Sequence, residues 1–357
     1  MDRENDRQSG GAGGCARPFK TRSGDWVRCQ SRVRSKCASC AELYRGDWAA
    51  IARSGVFDGR VELYRFYLLT LTAPSFGRVH RVPRSQGARA KRCGCGAVHD
   101  LRDAGLRGVP LTPSTYDYAG QVAWNRDAGL LWDRTRKRIR DRWESVEFFM
   151  VREWQDRGVL HQHALIRIKR PEAPNPQALR EAARTAEAVS RVDGGVVGWG
   201  AQTDAAAFRA DGDGAKTIWY LSKALNYVMK DTALTAMGGR GSNLAWAHLA
   251  ALGLAARAMR CSRECAPDEC ASRVHDRYGS RSHVVSASRR TRHRSGWSFT
   301  GVTRGLQRRM RAAWAEARAQ AAPAAEHASA PKRQEGAQLA RVELSRRIDV
   351  ARAAVLP

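Results

Sequence analysis

His161-Gln162-His163 carries the strongest chemical signal in the chain. Alternation along a strand turns both imidazoles to one face, where they could grip a single divalent ion. Residues 146–154 (VEFFMVREW) and 159–168 (VLHQHALIRI) read as two strands. Between them Gln155-Asp156-Arg157-Gly158 reads as a hairpin turn, with glycine where positive φ is needed. Pairing across a turn centred on Arg157 sets Trp154 opposite Leu160 and Glu153 opposite His161. A carboxylate then joins the two histidines without any long-range assumption. Mixed N/O ligation with open positions suits Mg²⁺ or Mn²⁺ acting on a phosphodiester; zinc is the weaker choice. A slip of one residue would turn Glu153 away. Taken alone, a His-x-His is more often a pair of surface or core histidines, and it is the hairpin carboxylate that shifts the balance towards a metal.

Tyr220, Lys223, Tyr227 and Lys230 are spaced by three, four and three and share one face of a helix expected over 215–234. A tyrosine can attack phosphorus and hold a covalent phosphotyrosyl bond. A lysine one turn away can depress the phenol's pKa or neutralise a phosphate oxygen. The plainer alternative is an amphipathic helix with packed tyrosines and snorkelling lysines. Beside a His-x-His strand, the reactive reading gains ground.

The nine cysteines fall in three clusters. Cys15, Cys29, Cys37 and Cys40 supply four thiols with a Cys-x-x-Cys knuckle, the makings of a structural Zn²⁺ site. Cys93, Cys95 and His99 offer three ligands for a possible second zinc, with His80 a candidate fourth. Cys261, Cys265, Cys270 and His275 also count to four, but their spacing fits no familiar zinc pattern.

These groups need elements to position them. Residues 61–72 (VELYRFYLLTLT) read as a buried strand. Tyr116 to about Arg142 reads as a helix with Val122, Leu130, Trp132 and Ile139 as core positions, and further helices are expected over 176–191 and 243–260. The 357 residues carry 62 Lys plus Arg against 35 Asp plus Glu, a net charge of +27, and 53 of the cations are arginine. A polyanionic partner follows, and an ordinary metabolic enzyme does not. Arginines cluster over 134–142 and 289–309, the latter interleaved with Trp297 and Phe299, which could stack on unpaired bases. A hydrophobic fraction of 43% excludes full disorder. No run of 18 apolar residues exists, so no transmembrane helix is expected. The leader MDRENDRQSGGAGG lacks an apolar core, so no secretory signal is expected and a cytoplasmic location follows.

In combination these parts resemble the HUH endonuclease superfamily, and most closely the rolling-circle replication initiators of actinomycete plasmids and integrative elements. The first motif is Phe66-Tyr67-Leu68-Leu69-Thr70-Leu71-Thr72-Ala73-Pro74. The second is Glu153, Gln155, Gly158, His161 and His163. The third is Tyr220-Leu-Ser-Lys223 followed by Tyr227-Val-Met-Lys230. Cys37-Ala-Ser-Cys40-Ala41-Glu42-Leu-Tyr44-Arg45, Tyr116-Asp117-Tyr118 and Trp124-Asn125 match further signatures. The chain departs from the family in four places, one being Cys261, Cys265 and Cys270 in a stretch that is usually Cys-poor. Ala224-Leu225-Asn226 separate the tandem repeats, Lys223 stands where some relatives have a glutamate base, and the stretch from Gly279 to Arg290 is degenerate.

The resemblance implies an α+β fold with an HUH-type, ferredoxin-like antiparallel sheet. The expected organisation is a disordered leader (1–14), a four-cysteine, zinc-ribbon-like segment (15–58), a nuclease core (61–260) with a Cys/His insertion (77–115), a basic DNA-binding region (261–320) and a low-complexity tail (321–357). It implies metal-dependent nicking of single-stranded origin DNA, with Glu153, His161 and His163 holding the ion and Tyr227, ahead of Tyr220, attacking to form a 5′-phosphotyrosine. Lys223 and Lys230 would assist. DNA, host helicase and host polymerase are the implied partners, and no membrane. The alternatives are a non-catalytic zinc-containing DNA-binding protein, or a relaxase or transposase of the same chemistry.

Overall fold

The structure is a computed structural model and describes residues 14–88, 91–212, 214–218, 242–281, 284–292 and 295–321. A two-strand hairpin, β1 (Phe19–Lys20) and β2 (Trp26–Val27), precedes the long helix α1 (Ala38–Phe57). Then come β3 (Tyr64–Leu71), α2 (Tyr118–Arg142), β4 (Glu147–Trp154), β5 (Leu160–Lys169) and α3 (Pro176–Arg184). A small hairpin follows, β6 (Glu187–Val189) and β7 (Val196–Gly198), and then β8 (Asp204–Phe208). The described residues close with α4 (Asn243–Ala258), β9 (Val285–Ala287) and α5 (Arg304–Ala321).

Five strands form one antiparallel sheet in the order β8-β3-β5-β4-β9. The fold is thus mixed helix and sheet, and the strands and helices from β3 to β8 succeed one another as β-α-β-β-α-β around the short β6–β7 hairpin. Alternation splits the sheet into two faces, each buried by a different layer. On one face Tyr67, Leu69, Met150, Ala164 and Ile166 pack with Trp124, Leu131 and Ile139 of α2 and Leu179 of α3. On the other, Phe66, Phe149, Val151 and Leu165 pack with Ile51 and Val56 of α1 and with Trp297 and Ile218. β5 lies at the centre and is buried along all but its last residue, so its two histidines sit on the best-supported strand of the sheet.

Helix ends follow local chemistry. Asp117 caps α2, its Oδ1 accepting the Gly120 N–H at 2.7 Å. Asn175 caps α3 ahead of Pro176 in the same way, at 2.8 Å from the Ala178 nitrogen. The expected helix over 176–191 stops at Arg184, and residues 187–189 instead pair with 196–198. The core also reaches beyond Arg260. β9 pairs with β4, and Trp297 is fully buried under α1, so Val285–Ala287 and Trp297 pack with the sheet rather than in a separate basic region. Among the described residues no helix is long and apolar enough to cross a membrane.

Candidate metal and DNA-processing site

The turn between β4 and β5 forms as the sequence dictates. Gly158 has φ +75, and the Gly158 N–H donates to the Gln155 carbonyl at 2.9 Å. A Cβ there would also lie 2.6 Å from Leu252 Cδ1, so the turn and its contact with α4 both require glycine. The resulting register pairs Trp154 with Leu160 and Glu153 with His161, the expected pairing. Glu153, His161 and His163 present ligand atoms that all lie within 4.8 Å of one another. His163 Nε2 stands 3.5 Å from Glu153 Oε1, and the two imidazole centroids are 4.5 Å apart.

The electrostatics suit a cation. Burial, reinforced by neighbouring His163, pushes His161 down to about 4, so its ring is neutral at pH 7. Burial alone would raise Glu153, but the hydrogen bond with His163, with the charge of Arg84 adding to it, holds its carboxyl below the ordinary range. Neutral imidazoles and an ionised carboxylate are the forms that bind metal.

Two threonines hold the rings in place. Thr70, opposite His163 in the β3–β5 pairing, sets its Oγ1 3.3 Å from His163 Nδ1. Thr72 Oγ1 lies 3.5 Å from His161 Nδ1 and donates to the Gln202 carbonyl at 3.3 Å. With its proton committed to Gln202, the Thr72 hydroxyl can only accept from Nδ1–H. The lone pair of His161 is then fixed on Nε2, free for a metal. This is a physical reason for the Thr-Leu-Thr of the first motif. Period two puts both hydroxyls on the histidine-bearing face. That alternation is visible in the sequence, but there it assigns the threonines no role.

Asn125, only 1% exposed, locks the hairpin to α2. Its Oδ1 accepts the Leu160 N–H at 3.0 Å, and its Nδ2 donates to the carbonyls of Gly158 (3.0 Å) and Tyr278 (2.9 Å). His248 of α4 lies 3.1 Å from the Arg157 carbonyl, and Arg84 of the Cys/His insertion bonds Asp156 at 2.8 Å. The turn is therefore braced from three sides.

The two cysteine-rich groups expected to bind zinc also come together. Cys15, Cys29, Cys37 and Cys40 converge, with Cys37 at the N-cap of α1 and Cys40 in its first turn. His80 completes Cys93, Cys95 and His99 as the fourth member of the second group. A tetrahedral zinc site has edges of about 3.8 Å between sulfurs, about 3.5 Å between sulfur and nitrogen and about 3.3 Å between nitrogens. Cys15 Sγ lies 3.9 Å from Cys37 Sγ and 3.7 Å from Cys40 Sγ. In the second group His80 Nδ1 to His99 Nε2 is 3.2 Å, Cys95 Sγ to His99 Nε2 is 3.3 Å and Cys93 Sγ to His80 Nδ1 is 3.7 Å. Asp103 takes the other nitrogen of His99 at 3.1 Å, the usual partner of a metal-bound imidazole. Burial raises the Cys37 thiol, but the N–H groups of Cys40 and Ala16 outweigh this and bring it down to about 6. Both groups could hold a metal such as zinc.

The sequence matches the family described as "Replication initiator protein, pSAM2" over residues 20–347. The chain belongs to this replication initiator family. It is also similar to a replication initiator protein of Streptomyces ambofaciens, 36% identical over 228 residues, covering 53% of this chain and 48% of the relative. The chain thus spans about half the length of the curated relative it matches. No solved structure matches the chain.

In this initiator-family chain Tyr220, Lys223, Tyr227 and Lys230 lie outside the described residues. The helical residues 214–218 lead up to them, and Ile218 is buried against Phe66 and Val56 on the histidine-bearing face of the sheet. Trp297 does not offer its ring to bases. It is 0% exposed, and its ring and that of Phe299 pack round the guanidinium of Arg167, at 5.3 Å and 3.7 Å. Arg167 in turn donates to the carbonyls of Gly55 (2.8 Å) and Gly296 (2.5 Å), a core role that an arginine count hides. The basic charge collects elsewhere. A cleft of about 1600 Å³ beside β9 is lined by Arg136, Arg140, Arg152, Arg263, Arg289 and Arg290, among others. Leu160 touches this cleft, but Glu153, His161 and His163 do not line it.

Proposed function

We propose that the chain initiates plasmid replication by nicking one strand of origin DNA. On this reading it is an HUH-type single-strand endonuclease working through a covalent tyrosyl intermediate. The observation that carries the proposal is the β4–β5 register. It gathers Glu153, His161 and His163 on one sheet face in a member of a replication initiator family. The β-α-β-β-α-β succession agrees with the ferredoxin-like order that the resemblance implies.

Glu153, His161 and His163 would hold a Mg²⁺ or Mn²⁺ ion, which supplies charge neutralisation at the scissile phosphate when bound. The chain's own groups do the rest. Thr70 and Thr72 orient the imidazoles. The Tyr227 hydroxyl, or that of Tyr220, gives up its proton to solvent and bonds to the scissile phosphorus, which stays attached to the 5′ oxygen of the following nucleotide. The bond to the preceding 3′ oxygen breaks, and that oxygen leaves with its electron pair and is protonated to a free 3′ hydroxyl. Lys230 or Lys223, three residues further on, offsets the phenolate charge. The free 3′ hydroxyl primes a host polymerase, with a host helicase opening the duplex ahead. A later transesterification rejoins the displaced strand. The basic cleft beside β9 would grip phosphates without reading sequence.

The test is cleavage of a labelled single-stranded origin oligonucleotide by the full chain with and without Mn²⁺. The proposal expects cleavage that is lost in His161→Ala and His163→Ala. Cleavage that persists in both variants would refute it.

A further inference from the structure

Fourteen residues beyond α4 and Arg260, Cys261 to Val274, contain neither helix nor strand. A stretch of that length inside a packed domain needs a staple, because it has little apolar surface with which to build a core. Within and just after it, the ligand atoms of Cys261, Cys265, Cys270 and His275 all lie within 4.8 Å of one another. Cys261, Cys265 and His275 are buried, at 6%, 7% and 5% exposure.

We propose that Cys261, Cys265, Cys270 and His275 form a structural zinc site that clamps this segment to α2 and α4 behind the β4–β5 hairpin. The separations are those of a tetrahedron. Cys261 Sγ to Cys270 Sγ is 3.7 Å and Cys265 Sγ to His275 Nε2 is 3.5 Å. The expected edges are about 3.8 Å for sulfur pairs and about 3.5 Å for sulfur to nitrogen. The sulfur–sulfur distance also excludes a Cys261–Cys270 disulfide in this geometry, because a bonded pair sits near 2.05 Å, at roughly half that separation. His275 Nδ1 donates to the Ala256 carbonyl at 2.7 Å. That bond fixes the tautomer that frees Nε2, and it satisfies one of the carbonyls left open at the end of α4. The sequence spacing looked irregular because His275 enters on a 3-10 turn, His275–Arg277, which swings it back to the thiols.

The site has a mechanical consequence. Both ends of the segment are tied to consecutive residues of α2. Arg126 Nη1 donates to the Arg260 carbonyl at 3.0 Å, and Asn125 donates to the Tyr278 carbonyl at 2.9 Å. Gly279, at φ +88, presses so close to α2 that a Cβ would meet the Val122 carbonyl oxygen at 2.3 Å. Tyr278 packs edge-on against Trp154, next to Glu153, with ring centroids 6.1 Å apart. Arg263 and Arg281, beside the thiols, also line the basic cleft. Closing the segment round zinc thus holds the Tyr278 carbonyl on Asn125, and through Asn125 the strand that carries His161. The inference does not depend on the nicking chemistry.

The test uses the full chain purified with zinc and is read by mass spectrometry. Thiols are alkylated in the folded protein before and after a strong chelator, and the 261–270 peptide is followed. The proposal expects Cys261, Cys265 and Cys270 to be protected with zinc and to react after chelation. Metal analysis of a Cys265→Ser, Cys270→Ser variant is expected to show one zinc fewer per chain than the parent. Ready alkylation of the three thiols in the zinc-loaded chain, a Cys261–Cys270 disulfide in the peptide map, or unchanged zinc content in the variant would each overturn it. The wild-type alkylation decides the matter even if the variant does not fold.

Discussion

Replacing Asn125 by alanine removes three hydrogen bonds at once, at 3.0, 3.0 and 2.9 Å. All three partners are buried. Leu160 and Tyr278 are 5% and 4% exposed, and Gly158 is also buried, so water cannot take the place of the amide. A buried group left without its partner costs about 1–3 kcal/mol, with an N–H at the upper end and carbonyls lower, so the three together cost on the order of 4 kcal/mol. For a domain of this size each kcal/mol moves the midpoint by about 2–4 °C, so Asn125→Ala is expected to melt roughly 10 °C below the parent. The loss is local as well as global. The Leu160 N–H, beside His161, loses its acceptor, so its amide should exchange with solvent faster than its neighbours in β5. Thermal melting followed by circular dichroism and hydrogen exchange read at the Leu160 amide are the two assays. A midpoint within about 2 °C of the parent, together with an unchanged Leu160 amide, would refute the claim that Asn125 locks the hairpin.

Thr72→Val keeps the shape but removes the hydroxyl between Gln202 and His161, and is expected to weaken Mn²⁺ binding at the hairpin about 10- to 100-fold, as measured by titration calorimetry. Arg167→Ala leaves two carbonyls without a donor and a void among Tyr64, Trp297 and Phe299, and is expected to lower stability by roughly 3 kcal/mol in urea titration without touching the metal site. In buffer free of Mg²⁺ and Mn²⁺, the His161 ring should titrate near 4 by NMR. Because its folded pKa is depressed, the stabilisation from the neutral ring is present above the unfolded value of about 6.5. It is lost as pH falls to about 4, a change on the order of 3 kcal/mol that His161→Gln should remove.

The His-x-His hairpin was legible in the sequence because everything that defines it is local. Two strands, a turn with glycine and a two-residue alternation fix which side chains share a face, and the structure repeats that register. Other features needed the fold. β8 is Asp204–Phe208, three alanines among five residues, a poor strand former on propensity. It becomes a strand because β3 offers it a partner. Trp297 and Phe299 looked like nucleic-acid contacts because sequence does not distinguish aromatics packed round a core arginine, here Arg167, from ones on the surface. Cys261, Cys265, Cys270 and His275 are separated by irregular intervals, and only the backbone path brings them to one point. Thr70 and Thr72 lie some 90 residues from the histidines they orient, so their role appears only once β3 and β5 are paired.

The proposed function rests on one step, attack by a tyrosine of the 220–230 segment on DNA held at the Glu153, His161 and His163 site. Its most direct measurement is peptide mapping of the protein–DNA adduct formed by the full chain with single-stranded origin DNA and Mn²⁺. The expected product is a nucleotide linked through its 5′ phosphate to Tyr227, or to Tyr220, with no adduct in the Tyr220→Phe, Tyr227→Phe double variant. An adduct on any other residue, one that survives in the double variant, or none at all in the parent would contradict it.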